Sequence, residues 1–464
     1  MMSAREATSW RISKSEAGSS LSRSRSRAAI GQRRSECPNA CPIGLRGREE
    51  MPGPGLGLIG EDEIAEVLDV LRNQRLGRYG KEDDPHFRAK VRTLEDRVAA
   101  FTGVRFAVGV NSGTSAIWAS FEGLGIGPGD EVIVPGFTFV ASISAVVYAR
   151  AFPVLAEVDE SLNLDPADVA AKIGPRTKAI LAVHMLGNPA RLAELKAIAD
   201  QRGIALIEDC AQAFGASYRG KVVGSIGRVG AISFNEYKTI TSGDGGMVVT
   251  DDEDLYRRIF AIHDQGHSPL RSGIEIGQRP FLGLNFRMTE LHAAVLLAQL
   301  RRIDAIRARL RENKALFKSL IADLPGIRFR DLPDPAGDLA THLVVLFPDA
   351  AVAGAITREL GSRVLADSGW HIYNKMEHLL RQRTASGTGC PFDGRCSLVE
   401  AKEYRAGMLP RTDAIVSRAM SIGIGVADPN LGSNFGVTVL DGTDRVRERA
   451  ATFRLVAAKH LGRD

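Results

Sequence analysis

At 464 residues the chain is too long for one simple core and is expected to hold two or three domains or subdomains. With 44% hydrophobic and 25% charged residues it reads as soluble and globular, and no apolar segment reaches the roughly 18 residues that a spanning helix needs, which excludes a membrane role. The formal charge of +5 resides in the N-terminus: ten of the 60 Lys and Arg but five of the 55 Asp and Glu fall within residues 1–50, and the remainder is balanced, which argues against a nucleic-acid partner.

Residues 1–50 are rich in Ser and Arg, as in Leu21-Ser22-Arg23-Ser24-Arg25-Ser26-Arg27, and lack apolar periodicity. This basic extension is expected to be disordered, with Met51 as the natural start. It carries no apolar stretch like that of a secretory signal. The five cysteines, Cys37, Cys41, Cys210, Cys390 and Cys396, are too sparse for a disulfide framework and suggest a reducing cytoplasm. Cys390 and Cys396 could form a metal pair with a histidine, but their wide spacing fits an ordinary loop better.

Apolar residues at helical spacing predict helices over 63–72 and 88–101. Short apolar runs then recur at 106–110, 131–134, 153–158, 178–184, 204–207, 230–234 and 247–250, most of them separated by helical stretches such as 190–201. This alternation predicts an α/β domain with a mainly parallel sheet, whose ligands gather at the carboxyl ends of the strands. A single long helix is expected over 288–310. Beyond about 325, runs at 343–347 and 435–440 flank helices at 351–360 and 444–460, as in a smaller α+β domain with an inserted loop near 380–408. The division places a large domain at 51–305 and a small one at 306–464.

The residues just past the apolar runs are the ones that bear on chemistry. Gly113-Thr114-Ser115 opens a helix after the first, as a phosphate site or an ordinary N-cap would. Phe139 comes after the second, as a core residue or a ring that stacks on a flat ligand. Asp209 ends the fifth, as a partner for a cation or a cap for the next helix. Lys238 lies past the sixth, before the turn Ser242-Gly243-Asp244-Gly245-Gly246. Taken together on one sheet edge, they supply the amine, carboxylate and phosphate donors that pyridoxal 5'-phosphate requires.

These stretches, with Glu208-Asp209-Cys210-Ala211-Gln212-Ala213 and Gly283-Leu284-Asn285-Phe286-Arg287-Met288, resemble the DegT/DnrJ/EryC1/StrS family of sugar aminotransferases, closely over about 51–330. The resemblance implies fold type I, with a seven-stranded sheet, and pyridoxal phosphate as cofactor. It implies that Lys238 forms the Schiff base and shuttles the proton, and that Asp209 holds the pyridinium. Gln212 would lie against the ring hydroxyl, Phe139 on the ring face, and Gly113, Thr114, Ser115 and Ser233 around the phosphate. Asn285 would reach the phosphate from a partner subunit, giving a homodimer with shared sites. The reaction implied is ping-pong transfer from an amino acid, glutamate by expectation, to a keto-sugar in amino-sugar biosynthesis.

A narrower similarity, through Phe137-Thr138-Phe139-Val140-Ala141-Ser142 and Val183-His184-Met185, points to the branch that makes 8-amino-3,8-dideoxy-octulosonate. It fades beyond about 365, where Trp370-His371-Ile372-Tyr373-Asn374 departs from it. Arg287, His371 and His378 are the candidate substrate residues. A branch with histidine in place of the lysine performs dehydration, and a non-catalytic regulator need not keep both Lys238 and Asp209; the presence of both favours aminotransfer. A nucleotide oxidoreductase would need Gly-x-Gly-x-x-Gly after the first run, which is absent.

Overall fold

The computed structural model describes residues 52–81, 83–269, 279–385, 389–392 and 402–462. The expectations for 1–50 and Met51, and much of the inserted loop including Cys396, lie outside these residues.

Five of the seven apolar runs become parallel strands because both faces of each are covered. The strands are β1 (Phe106–Val110), β2 (Glu131–Pro135), β3 (Phe152–Ala156), β4 (Thr177–Val183) and β5 (Ala205–Asp209); then, past a small hairpin of β6 (Ser217–Tyr218) and β7 (Lys221–Val222), come β8 (Val229–Ser233) and β9 (Gly246–Thr250). They form one seven-stranded sheet in the order β1-β9-β8-β5-β4-β2-β3. Each pairing from β8 through β5, β4 and β2 to β3 is parallel, and β9 runs antiparallel to both of its neighbours. Alternate residues feed two cores: Ile133, Ile180, Leu206 and Ile232 enter one, while Val132, Leu181, Ile207 and Ala231 enter the other.

A second sheet comes next, in the order β10 (Arg328–Phe329), β11 (His342–Leu346), β12 (Ala419–Ile424) and β13 (Gly436–Val437). The helices Ile303–Ile321, Ala350–Glu359 and Thr443–Leu461 pack on it. The expected helix over 288–310 is two helices, Glu290–Leu300 and Ile303–Ile321. The corner forms where Arg301 reaches the Glu66 carboxylate at 2.7 Å and Arg302 the Glu63 carboxylate, both on the helix Glu61–Asn73. Apolar spacing carries straight through such a two-residue break. The run at 435–440 yields only the two residues of β13, because Asp441 accepts from the Thr438 N–H at 2.6 Å and turns the chain. Cys390 is disulfide-bonded, which the sparse cysteine count did not suggest, whereas Cys210 is a free, buried thiol.

One buried side chain ties the middle of the large sheet together. Glu208, on β5, accepts from the N–H groups of Gly224 (2.8 Å), Ile226 (2.7 Å) and Gly227 (2.6 Å). His184 lies 3.1 Å from it through Nε2, and the Ala190 N–H donates to His184 Nδ1, so Nε2 carries the proton and donates to Glu208. Burial pushes the Glu208 carboxyl up, but the His184 bond and the backbone donors outweigh it and hold the group below its ordinary range. A lowered carboxylate gives stability that is present above the unfolded pKa and lost as pH falls. Glu208→Ala leaves four donors without an acceptor, at about 1–3 kcal/mol each. Urea unfolding at neutral pH is expected to show a loss of at least about 3 kcal/mol, and a loss under about 1 kcal/mol would contradict this account.

Candidate active site

A cleft of about 500 Å³ opens at the carboxyl ends of the parallel strands, between the two sheets. Its large-sheet side is built by strand ends. Asp209 is the last residue of β5, and Lys238 lies five residues past the end of β8, the adjacent parallel strand. The parallel register therefore brings the carboxylate and the amine to the same cleft.

Asp209 is 4% exposed. Ser142 Oγ donates to its Oδ2 at 2.9 Å and the Ala211 N–H to its Oδ1 at 3.0 Å. Burial pushes its pKa up, against these bonds and the charge of Lys238. The reverse holds for Lys238, where burial pushes the amine down and Asp209 and Asp428 push it back. The lysine loop is clamped from several sides. The Gly55 N–H donates to the Lys238 carbonyl at 3.3 Å, while Gln299 bonds both the Gly55 carbonyl (2.9 Å) and the Thr241 N–H (2.8 Å). The same loop is closed by Phe234 N–H on the Gly245 carbonyl at 2.9 Å.

The helix Gly113–Gly123 starts at the cleft wall, with Ser112 Oγ accepting from the Ser115 N–H at 3.1 Å. Gly113 and Gly246 are required by close approach. A Cβ on Gly113 would meet Ser233 Cβ at 2.6 Å, and one on Gly246 would meet the Ser112 carbonyl oxygen at 2.3 Å. Backbone N–H groups, Thr114 and the buried Ser233 thus converge without an intervening side chain.

Among the residues singled out from sequence, Gly113, Thr114, Phe139, Asp209, Gln212, Ser233, Lys238 and His371 line the cleft. Phe139 is 42% exposed, so it is a cleft-wall ring and not a core residue, with the His371 ring centroid 5.2 Å away. Ser115 stands one step back, its hydroxyl bonded to Asn111 Oδ1 at 2.7 Å. Asn285 and Arg287 lie outside the lining, on a segment joined to the edge strand by the Val110–Arg287 bridge. Asn285 is exposed, and Arg287 pairs with the buried Asp264 at 2.6 Å. His378 is exposed on the short helix Glu377–Leu380, away from the lining.

The stretch that departs from the octulosonate branch is built into the wall. The Thr138 N–H donates to the His371 carbonyl (2.9 Å), Val140 to that of Trp370 (2.8 Å), and Tyr373 to that of Gly136 (3.0 Å). His371 is 3% exposed, with Nδ1 bonded to Ser368 Oγ at 2.9 Å. Burial, with Lys238 nearby, pushes its pKa down to about 3, so it works as a neutral ring. Sequence reasoning missed His342 and Asp428, which reach the cleft from the small sheet and from the loop after β12. Neither carries a local pattern; only the packing of the second sheet brings them here.

These residues fit pyridoxal phosphate. The buried Asp209 is the carboxylate a pyridinium would need, the helix start at Gly113 and Thr114 faces the cleft beside Ser233 as a phosphate would need, and the partly buried Lys238 supplies the amine. Fold and strand-end residues together define an aminotransferase of fold type I.

More particularly, the chain belongs to the DegT/DnrJ/EryC1/StrS aminotransferase family, which matches residues 58–367. Over 338 residues it is 37% identical to the L-glutamine:2-deoxy-scyllo-inosose aminotransferase of Streptoalloteichus tenebrarius, covering 70% of this chain and 78% of that protein. Over 244 residues it is 40% identical to the GDP-perosamine synthase of Caulobacter vibrioides, covering 52% of this chain and 62% of that one. The aminotransferase of Psychrobacter cryohalolentis superposes with a TM-score of 0.70 at 27% identity, covering 89% of this chain and 99% of that chain.

The raised Asp209 carboxyl gives a signed prediction. Its folded state holds the proton more tightly than the unfolded chain, so Asp209 subtracts stability once pH rises above the unfolded carboxylate range near ~4. Asp209→Asn is expected to raise the Tm of the cofactor-free protein at pH 7 by a few degrees and to leave it unchanged at pH 3.5. The same variant is expected to bind pyridoxal phosphate at least about tenfold more weakly, by one lost charge pairing. A cofactor-free Tm that falls at pH 7 would refute the electrostatic account.

Proposed function

We propose that this chain is a pyridoxal-phosphate-dependent sugar aminotransferase that takes an amino group from an amino acid, glutamate in the first instance, and passes it to a keto-sugar in amino-sugar biosynthesis. The observation that carries this reading is the pairing of Asp209 and Lys238 at adjacent parallel strand ends in one cleft. The relatives support the class of acceptor, since their names specify a keto-cyclitol in one case and a nucleotide-linked amino sugar in the other.

When bound, pyridoxal phosphate supplies an electron sink that acidifies the carbon bearing the amine. The chain's own residues do the rest. Asp209 would hold the ring nitrogen through the carboxylate that Ser142 and the Ala211 N–H orient. Gln212 has its Oε1 committed to the Leu186 N–H at 2.8 Å, which leaves its NH2 group to face the ring hydroxyl. Thr114 and Ser233, with the helix N-terminus, would take the phosphate. Lys238 Nζ, held toward its neutral form by burial, would take the proton from the donor carbon that bears the amine and pass it to the cofactor carbon that carries the nitrogen. Phe139 and His371 form the wall that keeps water from that proton.

Asn285 fits the second half of the reading, a homodimer with shared sites. It is exposed beside β1, the edge strand of the large sheet, and stands outside the cleft of its own subunit, a position from which it would reach the phosphate held by a partner. The presence of Lys238 disfavours the dehydratase chemistry that histidine supports at this position.

Purified protein supplied with pyridoxal phosphate is expected to show visible cofactor absorbance and to lose it when glutamate or glutamine is added. Lys238→Ala is expected to lack the absorbance and to be slowed at least about 10⁴-fold in amine transfer, as for removal of a covalent and proton-moving group. A wild-type protein that stays colourless with excess cofactor would sink the proposal.

A further inference from the structure

The small-sheet side of the cleft contains two buried polar groups to which the cofactor reading gives no binding contact. His342 opens β11, is 3% exposed and lines the cleft. Its Nδ1 meets Thr341 Oγ1 at 3.0 Å, while its Nε2 is buried with no hydrogen-bond partner. A buried ring nitrogen without a partner is costly, and natural structures keep such atoms where a ligand completes them. Asp428 is 8% exposed, lines the same cleft and forms no ion pair among the described residues. Its Oδ1 accepts from the Asn430 N–H at 2.8 Å, an Asx turn that fixes the carboxylate's direction.

Burial and the neighbouring cations Arg330 and Lys314 hold the His342 ring far below its ordinary pKa, so it is a neutral group. As a neutral ring it offers a carboxylate no opposite charge, and a carboxylate at Asp428 opposes one, so the pair does not hold the carboxylates of an amino-acid donor as a cationic side chain would. A hydroxyl suits both: it can donate to the Asp428 carboxylate, and it can accept from or donate to Nε2 whichever ring nitrogen carries the proton.

We infer that His342 and Asp428 form an acceptor-binding pair that grips ring hydroxyls of the keto-sugar and acts only in the second half of the transfer. This rests on the aminotransferase reading above and names which residues choose the acceptor. It also predicts the acceptor's chemistry: an uncharged polyhydroxylated ring at this wall, with any phosphate or carboxylate lying elsewhere.

The two halves of the reaction separate the pair from the cofactor. Wild type, His342→Ala, His342→Gln and Asp428→Asn, each loaded with pyridoxal phosphate, are first mixed with glutamate and followed by absorbance. The amine-loaded enzymes are then mixed with 2-deoxy-scyllo-inosose and with UDP- and GDP-linked keto-hexoses, and the most reactive ketone on wild type is used throughout. Cofactor Kd and the glutamate half-reaction are expected to stay within about twofold in the His342 variants, while Asp428→Asn, whose charge also reaches Lys238, is expected to lose far more in the ketone half-reaction than in the glutamate one. The ketone half-reaction is expected to fall at least about tenfold in His342→Ala and Asp428→Asn, with partial recovery in His342→Gln, whose amide restores one bond.

Equal slowing of both halves, a weakened cofactor Kd, or unchanged ketone rates would overturn the inference while leaving the aminotransferase reading intact. A wild-type protein that takes no amine from glutamate or glutamine would overturn the reading itself.

Discussion

Everything in this structure is arranged around a carboxylate and an amine that burial drives toward neutrality from opposite sides. Desolvation raises the Asp209 carboxyl and lowers the Lys238 amine, and each opposes the other's drift. Such a pair is weak as a stability device, because removing two charges from water costs about as much as their attraction returns. On the proposed reading it is a poised site, with an acid to meet a cation and an amine to act as nucleophile and base. The parallel pairing of β5 with β8 achieves the placement, since two adjacent strands pointing the same way must deliver their next residues to the same side.

Poise of this kind demands a rigid surround, and the chain provides it from distant segments. The Lys238 loop is held by Gly55 and Gln299, residues that lie far from it on both sides in sequence. Asp209 is steered by Ser142 from the helix after β2, while its neighbour Glu208 points into the opposite core and anchors the turn before β8. Successive residues of one strand thus serve the site and the scaffold in alternation, as the two-residue period of a strand dictates.

That period also explains what was legible in the sequence. Strand β1 falls where its apolar run predicts, and the other six sheet strands lie within two residues of theirs, because strands buried on both faces declare themselves as uninterrupted apolar runs. Lys238, Asp209 and Phe139 could be singled out because each stands at or just past the end of an apolar run, and the structure brings all three to the cleft. The corner at Arg301-Arg302 was not, being set by Glu63 and Glu66 far away in the chain. His342 lies one residue before the apolar run at 343–347, and Asp428 falls in no predicted element. Their meaning comes from which sheet faces which, and no local pattern records that.

The cleft therefore has two walls, and the family match covers one of them more fully than the other. The family match ends at residue 367, and it contains Lys238, Asp209, Ser233 and the helix start at Gly113, together with His342. Trp370, His371, Asp428 and Asn430, which complete the opposite wall, all lie beyond it. On the proposed reading the first wall would meet the fixed chemistry of the cofactor and the opposite wall the shape and hydroxyl pattern of one ketone. The segments of the opposite wall are attached by backbone bonds such as Thr138 to His371 and Val140 to Trp370, which depend little on side-chain identity. A fold built this way can exchange acceptors by changing the second wall without disturbing the electrostatics of the first. The split also matches the relatives, which share the name of aminotransferase or synthase but differ in the molecules they make.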